Sequence, residues 1–199
     1  MKKTFIIGGA LMLSAALFSF TAIQTSWNLD AAHSNLRFVT THMGVTEVEG
    51  CFTKFDAKVI SSSENLSDAV ITMHGDAASI NTFNDYRDKD LKSEAFFNVE
   101  KYPSFEFKST GVSKADENNY KISGDLTMHG VTKSVVLLGQ ARYGKNLMSQ
   151  KEIVGLKITG TIKRSDFGIG DKLPTAVVAD EINIVANGEY VKQTDADKK

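Results

Sequence analysis

The sequence predicts an all-β protein: an antiparallel barrel of about eight strands carrying one short helical insert. Three observations lead there. Stretch after stretch alternates apolar and polar side chains at a period of two, as in Tyr120, Ile122, Gly124, Leu126 and Met128 against Lys121, Ser123, Asp125 and Thr127. Val154, Leu156, Ile158, Gly160 and Ile162 repeat the pattern against Lys157, Thr159, Thr161 and Lys163. Successive strand side chains point to opposite faces, so each stretch has one dry face and one wet face. Long amphipathic helices are almost lacking, and the chain has only two prolines, neither inside a candidate strand. Such a sheet must hide its dry face, and closure into a barrel hides it while removing the edges. A barrel of sufficient width has an interior able to hold a ligand.

The chain opens Met1-Lys2-Lys3, then runs apolar from Phe5 to Phe20 with no acid before Asp30. A basic start and a short apolar run read as an export signal over residues 1–25, with a cut between Thr21 and Ser26. A spanning anchor needs roughly 20 apolar residues, whereas this run turns polar at Gln24, Thr25 and Ser26. No cysteine lies nearby to carry a lipid. The expected location is therefore periplasmic or secreted. One domain is expected over residues 26–192, followed by a charged, frayed tail at 193–199.

Along that domain, a short strand near Trp27–Leu29 leads into a turn-like link over Asp30–Asn35. Strands follow at Leu36–His42 and Val45–Val59, split by Met43-Gly44. In the second, Gly50 and Phe52 share one phase while Phe55, Ala57 and Val59 share the other, so a bulge near Thr53 or Lys54 is needed to keep both sets inside. Ser61–Asn65 is a polar loop, and Ala69–His74 is another strand. The period then changes. Thr82 with Asp85 three residues on predicts a helix start, stacking Phe83, Arg87 and Leu91 on one face. Ser93 is expected to cap a further turn over Glu94–Asn98, and Pro103 stops any continuation. Strands resume at Ser104–Val112, with Phe105 and Phe107 on one face, then at Tyr120–Met128, Thr132–Tyr143, Ile153–Lys163 and Glu181–Val191. The stretch from Arg164 to Thr175 reads as irregular.

Composition narrows the function. Without Lys2 and Lys3 the 23 basic residues fall to 21 against 24 acids, a formal charge of about −3. A mildly acidic surface argues against nucleic acid, whose binding rests on a basic footprint. Cys51 is the only cysteine, which excludes an internal disulfide and reads as a small packing residue. His33, His42, His74 and His129 lack the short spacing of a metal site, so no metal or cofactor is expected. There is no Gly-x-Ser-x-Gly elbow, and Asp166-Phe167-Gly168 stands without the other kinase motifs. The expectation is a protein that is not an enzyme.

The helical insert, from Asp85 to Phe97 and on through Tyr102-Pro103-Ser104-Phe105, mixes charges with aromatic rings. Two readings stand side by side. In one, Arg87 and Asp88 pin the insert to the barrel by ion pairs while Phe96, Phe97 and Tyr102 pack beneath it. In the other, the same groups surround a cavity mouth, where a cation meets a head group.

Six sequence pieces occur in order: Asp30-x-x-His33-Ser34, Gly50-x-Phe52, Arg87-Asp88-x-x-Leu91-x-Ser93-x-x-Phe96-Phe97, Tyr102-Pro103-x-x-Phe105, Gly124-x-Leu126-Thr127-x-His129-Gly130-Val131-Thr132 and Arg164-x-Asp166-Phe167-Gly168-Ile169. Together they resemble the YceI-like family of lipid-binding proteins over nearly the whole chain from Trp27 to about Val191. The resemblance implies a lipocalin-like barrel whose internal pore holds a polyisoprenoid or another long apolar lipid, and it brings no catalytic residue. One departure is Lys89-Asp90, where a histidine is frequent at the second position.

The expected function is non-catalytic binding, transport or sequestration of such an amphiphile in the cell envelope, with any membrane or envelope partner unidentified. Candidate lining residues are Phe38, Phe52, Phe105, Phe107, Leu126, Leu156, Ile158 and Ile184. Arg87, Arg164 and His33 are candidates for steering a head group. The rival reading is a structural or stress-response interaction protein whose barrel is filled by its own side chains. A third places an enzyme on a lipid held inside, with Cys51 and a histidine at the wall.

Overall fold

The structure is a computed structural model and describes residues 24–63 and 65–193. The expected export signal thus lies outside the described residues up to residue 23, as does the charged tail beyond Gln193. Among the described residues the chain forms β1 (Thr25–His42), β2 (Thr46–Phe52), β3 (Phe55–Ser61), β4 (Val70–Asp76), β5 (Ile80–Asn81), α1 (Asp85–Lys92), β6 (Ser104–Lys114), β7 (Asn119–Met128), β8 (Val131–Lys145), β9 (Glu152–Lys163) and β10 (Glu181–Lys192). Every pairing between these strands is antiparallel. The sheet runs β10-β9-β8-β7-β6-β4-β3-β1, and β10 returns to β1, closing a ring of eight strands as the alternation predicts.

β1 serves two neighbours on one side because it is 18 residues long. Its start, Thr25–Asn28, pairs with Lys58–Ser61 of β3, and its end, Leu36–His42, pairs with Thr46–Phe52 of β2. β2 and β3 are one bent course broken at Thr53-Lys54, where the sequence requires a bulge. The break restores the phase: Gly50 and Phe52 before it, and Ala57 and Val59 after it, are all buried. β5 continues β4 in the same way and pairs with β2. The alternating strands thus bury one aliphatic and aromatic face in a single core, each fully buried large side chain contributing about 1.5–3 kcal/mol before entropy costs.

Asp30–Asn35 is not a link between two strands. β1 runs through it beside β10, whose register passes from Asp30↔Glu189 to Asn35↔Asn187, so Ala31–Ser34 bulge opposite Gly188 alone. The Ser34 hydroxyl donates to the Asp30 carbonyl at 2.7 Å and accepts the Glu189 N–H at 3.2 Å. The turn chemistry in the sequence is real, but both flanks keep the same partner strand.

The insert also starts later than predicted. Asn84, not Thr82, caps α1 by accepting the Arg87 N–H at 3.0 Å. Thr82 is pulled inward, where its backbone N–H and its hydroxyl both donate to Asp88 Oδ1. The chain therefore turns at Phe83, which sits before the helix at φ +60° with its side chain exposed, off the face carrying Arg87 and Leu91. Ser93 ends α1 and is followed by turns, with no second helix over Glu94–Asn98.

The two barrel ends differ. At one end the insert and the segment from Arg164 to Ala179 lie over the opening. At the other, the Ser61–Ala69 loop folds across: Leu66 and Ala69 are buried, and the Tyr120 hydroxyl donates to the Asn65 carbonyl at 2.7 Å. Asp68 organises that loop by accepting from Ser61, Ser62 and Ser63, and these bonds hold its carboxyl well below the usual carboxylate range. Between β7 and β8 the chain reverses in two residues, His129 at φ +52° and Gly130 at φ +74°. Positive φ at both central positions is the hairpin geometry that matches strand twist.

Candidate functional site

The barrel interior holds two apolar chambers. The upper one, beneath α1, has a volume of about 470 Å³. Its walls come from β1 and β2 (Phe38, Phe52), from the insert (Leu91, Phe96, Phe97), and from Met128, Ile162, Ile182 and Ile184 across the barrel. Phe167, Ile169, Leu173 and Val178 complete it from the stretch after β9. The lower chamber is about 70 Å³ and is bounded by Leu36, Phe55, Phe107, Leu126, Leu156, Ile158 and others. Ile184 lines both.

The eight predicted lining residues thus divide. Phe38 and Phe52 face the upper chamber, and Phe107, Leu126, Leu156 and Ile158 face the lower, with Ile184 touching each. Phe105 lines neither. It is 2% exposed and packs against Phe52 with ring centroids 4.5 Å apart, in an aromatic group that also joins Phe52 to Phe38 at 5.7 Å and to Phe97 at 5.8 Å.

The three candidate head-group residues have three different situations. Arg87 is half-buried on the inner face of α1 and lines the upper chamber. Its Nε donates to Thr82 Oγ1 at 2.8 Å and its Nη2 to the Thr82 carbonyl at 2.7 Å. Thr82 is itself buried and fixed by Asp88, so the Asp88–Thr82–Arg87 chain aims the guanidinium and leaves Nη1 without a hydrogen bond among the described residues. The two readings of the insert each hold in part: Arg87 and Asp88 hold it through hydrogen bonds to Thr82 rather than by the expected ion pairs, and the rings of Phe96 and Phe97 line the chamber.

Arg164 also borders the chamber, but its donors are spent. Nε donates to the Ala179 carbonyl at 3.3 Å, Nη1 to Ile169 at 3.1 Å and Gly170 at 2.7 Å, and Nη2 to Leu173 at 2.8 Å and Val178 at 3.1 Å. A guanidinium has five N–H groups, and all five are engaged. Arg164 is the clasp that shapes the 164–179 segment into a chamber wall.

His33 is outside both chambers. It stands exposed on the β1 bulge, with Nδ1 2.9 Å from Asp30 Oδ2. That hydrogen bond and the nearby Glu189 push the His33 imidazole up from its ordinary value. Ligand atoms of Asp30, His33 and Glu189 come within 4.8 Å of one another, which is metal-ligand chemistry that the spacing of the histidines alone did not reveal. It lies on the outer surface, remote from the apolar interior.

Cys51 lies on β2 between Gly50 and Phe52, on the opposite face from both, and lines neither chamber. The buried Thr40 Oγ1, on the upper chamber wall, makes no hydrogen bond among the described residues. Sequence reasoning missed the wall from Phe167 to Val178. Its sequence signal is the Arg164-x-Asp166-Phe167-Gly168-Ile169 piece, within a stretch that has no strand period.

Comparison with known proteins agrees with this architecture. A family model described as YceI-like domain matches residues 27–190. A UPF0312 protein of Photorhabdus laumondii is 34% identical over 172 residues, covering 84% of this chain and 86% of the relative. The crystal structure of a Campylobacter jejuni YceI protein superposes with a TM-score of 0.70 at 30% identity, over 77% of this chain and 90% of that one. A polyisoprenoid-binding domain from Saccharophagus degradans superposes with a TM-score of 0.63 over 84% of this chain and 98% of that one, a likeness of fold at 18% identity. An eight-stranded closed ring, a helical insert over its mouth and a family match spanning the whole barrel together make this chain a member of the YceI-like domain family.

Proposed function

We propose that this protein binds a polyisoprenoid-like amphiphile in its barrel without catalysing its conversion, and carries or sequesters it in the cell envelope. The observation that carries this reading is the upper chamber: about 470 Å³, walled by aromatic and aliphatic side chains, with a few polar groups at its edge. That size and lining are those of small-molecule pockets, which are mostly apolar with a few placed polar groups. The S. degradans domain, described as polyisoprenoid-binding, shares the fold and supports the choice of ligand class. Each buried methylene contributes about 0.8 kcal/mol, so a prenyl chain needs few polar contacts before ordering costs are met. Arg87 Nη1 and Thr40 Oγ1 are the groups placed to meet a polar head. The filled-barrel rival fits the lower chamber, which is nearly closed by its own side chains, but not the upper one.

Export, and with it an envelope location, is supported by the basic and apolar start of the sequence. Gentle purification from the native host, followed by mass spectrometry of the organic extract, tests the whole reading. The expected result is a stoichiometric isoprenoid. Repeated recovery of empty protein that also refuses added prenols argues for the rival.

A further inference from the structure

We infer that Asp30, His33 and Glu189 form a surface site for a divalent transition-metal ion such as zinc, on the seam where the last strand of the barrel closes onto the first. The site lies on the outer surface and is independent of what the interior holds.

Asp30 and Glu189 stand directly opposite each other on β1 and β10. Their chain neighbours Leu29 and Tyr190 line the lower chamber, so alternation turns both carboxylates to the outer surface. Like charges in directly opposed positions of a sheet destabilise it. Gly155, which faces Glu189 from β9, has no side chain with which to offset that repulsion. What the fold brings to the two acids is an imidazole. The bulge over Ala31–Ser34 carries His33 back along the seam until its Nδ1 is 2.9 Å from Asp30 Oδ2, and ligand atoms of all three residues come within 4.8 Å of one another.

The frame around these donors is fixed from several sides. Ser34 ties the bulge to the Glu189 N–H, and Asn187 Nδ2 donates across the seam to Asn35 Oδ1 at 3.1 Å. Asp30 Oδ1 accepts the Ala32 N–H at 3.0 Å, which leaves Oδ2 aimed at His33. Hydrogen bonds of this kind are what orient the ligands of metal sites. With metal–donor bonds of about 2.0–2.1 Å, two donors on one ion stand about 2.9–3.4 Å apart. The Asp30 and His33 atoms already have that separation, and the half-buried Glu189 side chain closes the remaining gap by changing rotamer.

The donor set selects the ion. Two carboxylates and a neutral imidazole leave two negative charges for a divalent cation to cancel. The nitrogen decides the class: imidazole suits zinc, copper, nickel and iron, whereas calcium and magnesium take oxygen ligands. Water completes the coordination on the exposed side. An ion held here joins β1 to β10, the pairing that closes the ring, and so it stabilises the folded barrel by mass action.

The test is calorimetric titration of the tag-free full chain, stripped with a chelator, with Zn²⁺ and then with Ca²⁺ as competitor. Wild type is expected to bind one zinc ion per chain and to keep it against excess calcium. Its melting temperature is expected to rise by about 5–10 °C when free zinc is about 100 times Kd, and to fall back on adding EDTA. His33→Gln and Glu189→Gln leave the backbone bonds of the bulge in place, and each is expected to weaken zinc binding at least about tenfold, the loss seen when even a residue that merely orients a ligand is removed. His74→Gln, which alters another exposed imidazole beside a carboxylate (Glu106, 4.0 Å), is expected to change neither readout. No saturable zinc binding by wild type, or binding that survives both His33→Gln and Glu189→Gln, overturns the site. Loss of binding in His74→Gln to the same extent overturns its placement on the seam. Displacement of the zinc by calcium overturns the imidazole as a ligand.

Discussion

The tip of the Phe105 ring occupies the place where a side chain at Gly75 would begin, the two residues standing directly opposite each other on β6 and β4. Cζ, Cε2 and Cε1 of the ring would lie 2.2, 2.6 and 2.7 Å from a Cβ at position 75. Gly75→Ala is therefore expected to destabilise the fold by about 1–3 kcal/mol. Adding Phe105→Leu removes the ring from that space, so the pair should lose less than the sum of the two single changes. Urea unfolding of the four variants in a double-mutant cycle checks this. Simple additivity would show that the two positions do not share the space.

Arg164 offers a sharper stability test. Its side chain is 6% exposed, and its five donors serve five backbone carbonyls. A lysine keeps the charge but has three donors on a compact ammonium, so at least two buried carbonyls lose their partner. Arg164→Lys is expected to cost about 2 kcal/mol or more. An unchanged denaturation midpoint would mean that the 164–179 wall does not depend on the clasp.

Tyr190 is held protonated by burial, with Asp56 adding to the effect, and its phenol is pushed up to about 12. A raised acid contributes stability in full below its ordinary value of 10.0, and the contribution is lost as pH rises through about 12. Spectroscopic titration of the five tyrosines should show a late-ionising component that disappears in Tyr190→Phe. Tyr143 is also shifted upward, by burial and its contact with the Tyr120 hydroxyl, so a second late component should survive in that variant. A single transition at the ordinary phenol value would contradict both assignments.

The Asp30–His33 pair should make folding weakly dependent on pH. The hydrogen bond to Asp30 raises the His33 imidazole above 6.5, and the hydrogen bond from His33 lowers the Asp30 carboxyl below 3.8. The histidine term is complete below 6.5 and is lost as pH climbs through the raised value. The aspartate term is complete above 3.8 and is lost as pH falls through the lowered one. Thermal melts of wild type and His33→Gln should differ most between those limits and converge at alkaline pH. Because His33 is exposed and Asp30 only part-buried, the effect is small, and a constant difference at every pH would separate it from the pair.

Facing is tested by charge insertion. Leu156 is buried on the lower chamber wall, whereas Thr127 points outward and shares a hydrogen bond with Thr132 across the β7–β8 hairpin. Leu156→Asp should abolish folding or prenol uptake, since a buried carboxylate without a partner costs several kcal/mol. Thr127→Asp should do neither. Equal damage from both, read by circular dichroism and uptake, would refute the alternation on which the barrel rests.

Much of this was legible without coordinates, because strand alternation is a local property with a fixed period. It placed Phe38, Phe52, Phe107, Leu126, Leu156, Ile158 and Ile184 inside, and the phase change around Thr53-Lys54 located a bend that the barrel uses. The bulge at Asp30–Asn35 and the delayed start of α1 were not legible. In each case the local turn or cap signal was present, and a long-range partner, β10 in one and Asp88 acting on Thr82 in the other, decided how the chain used it. The wall from Phe167 to Val178 lacks any period, since it is shaped by Arg164 and not by a strand.

By itself the sequence determined the closed β-barrel and which faces turn inward, because side-chain direction along a strand follows from position alone. Only the tertiary structure decided that the interior is two chambers of unequal size, that Arg164 is spent on carbonyls while Arg87 keeps a free donor, and that His33 faces solvent. Those outcomes depend on which side chains from distant strands meet at one level of the barrel, and that is set by register and packing rather than by spacing along the chain.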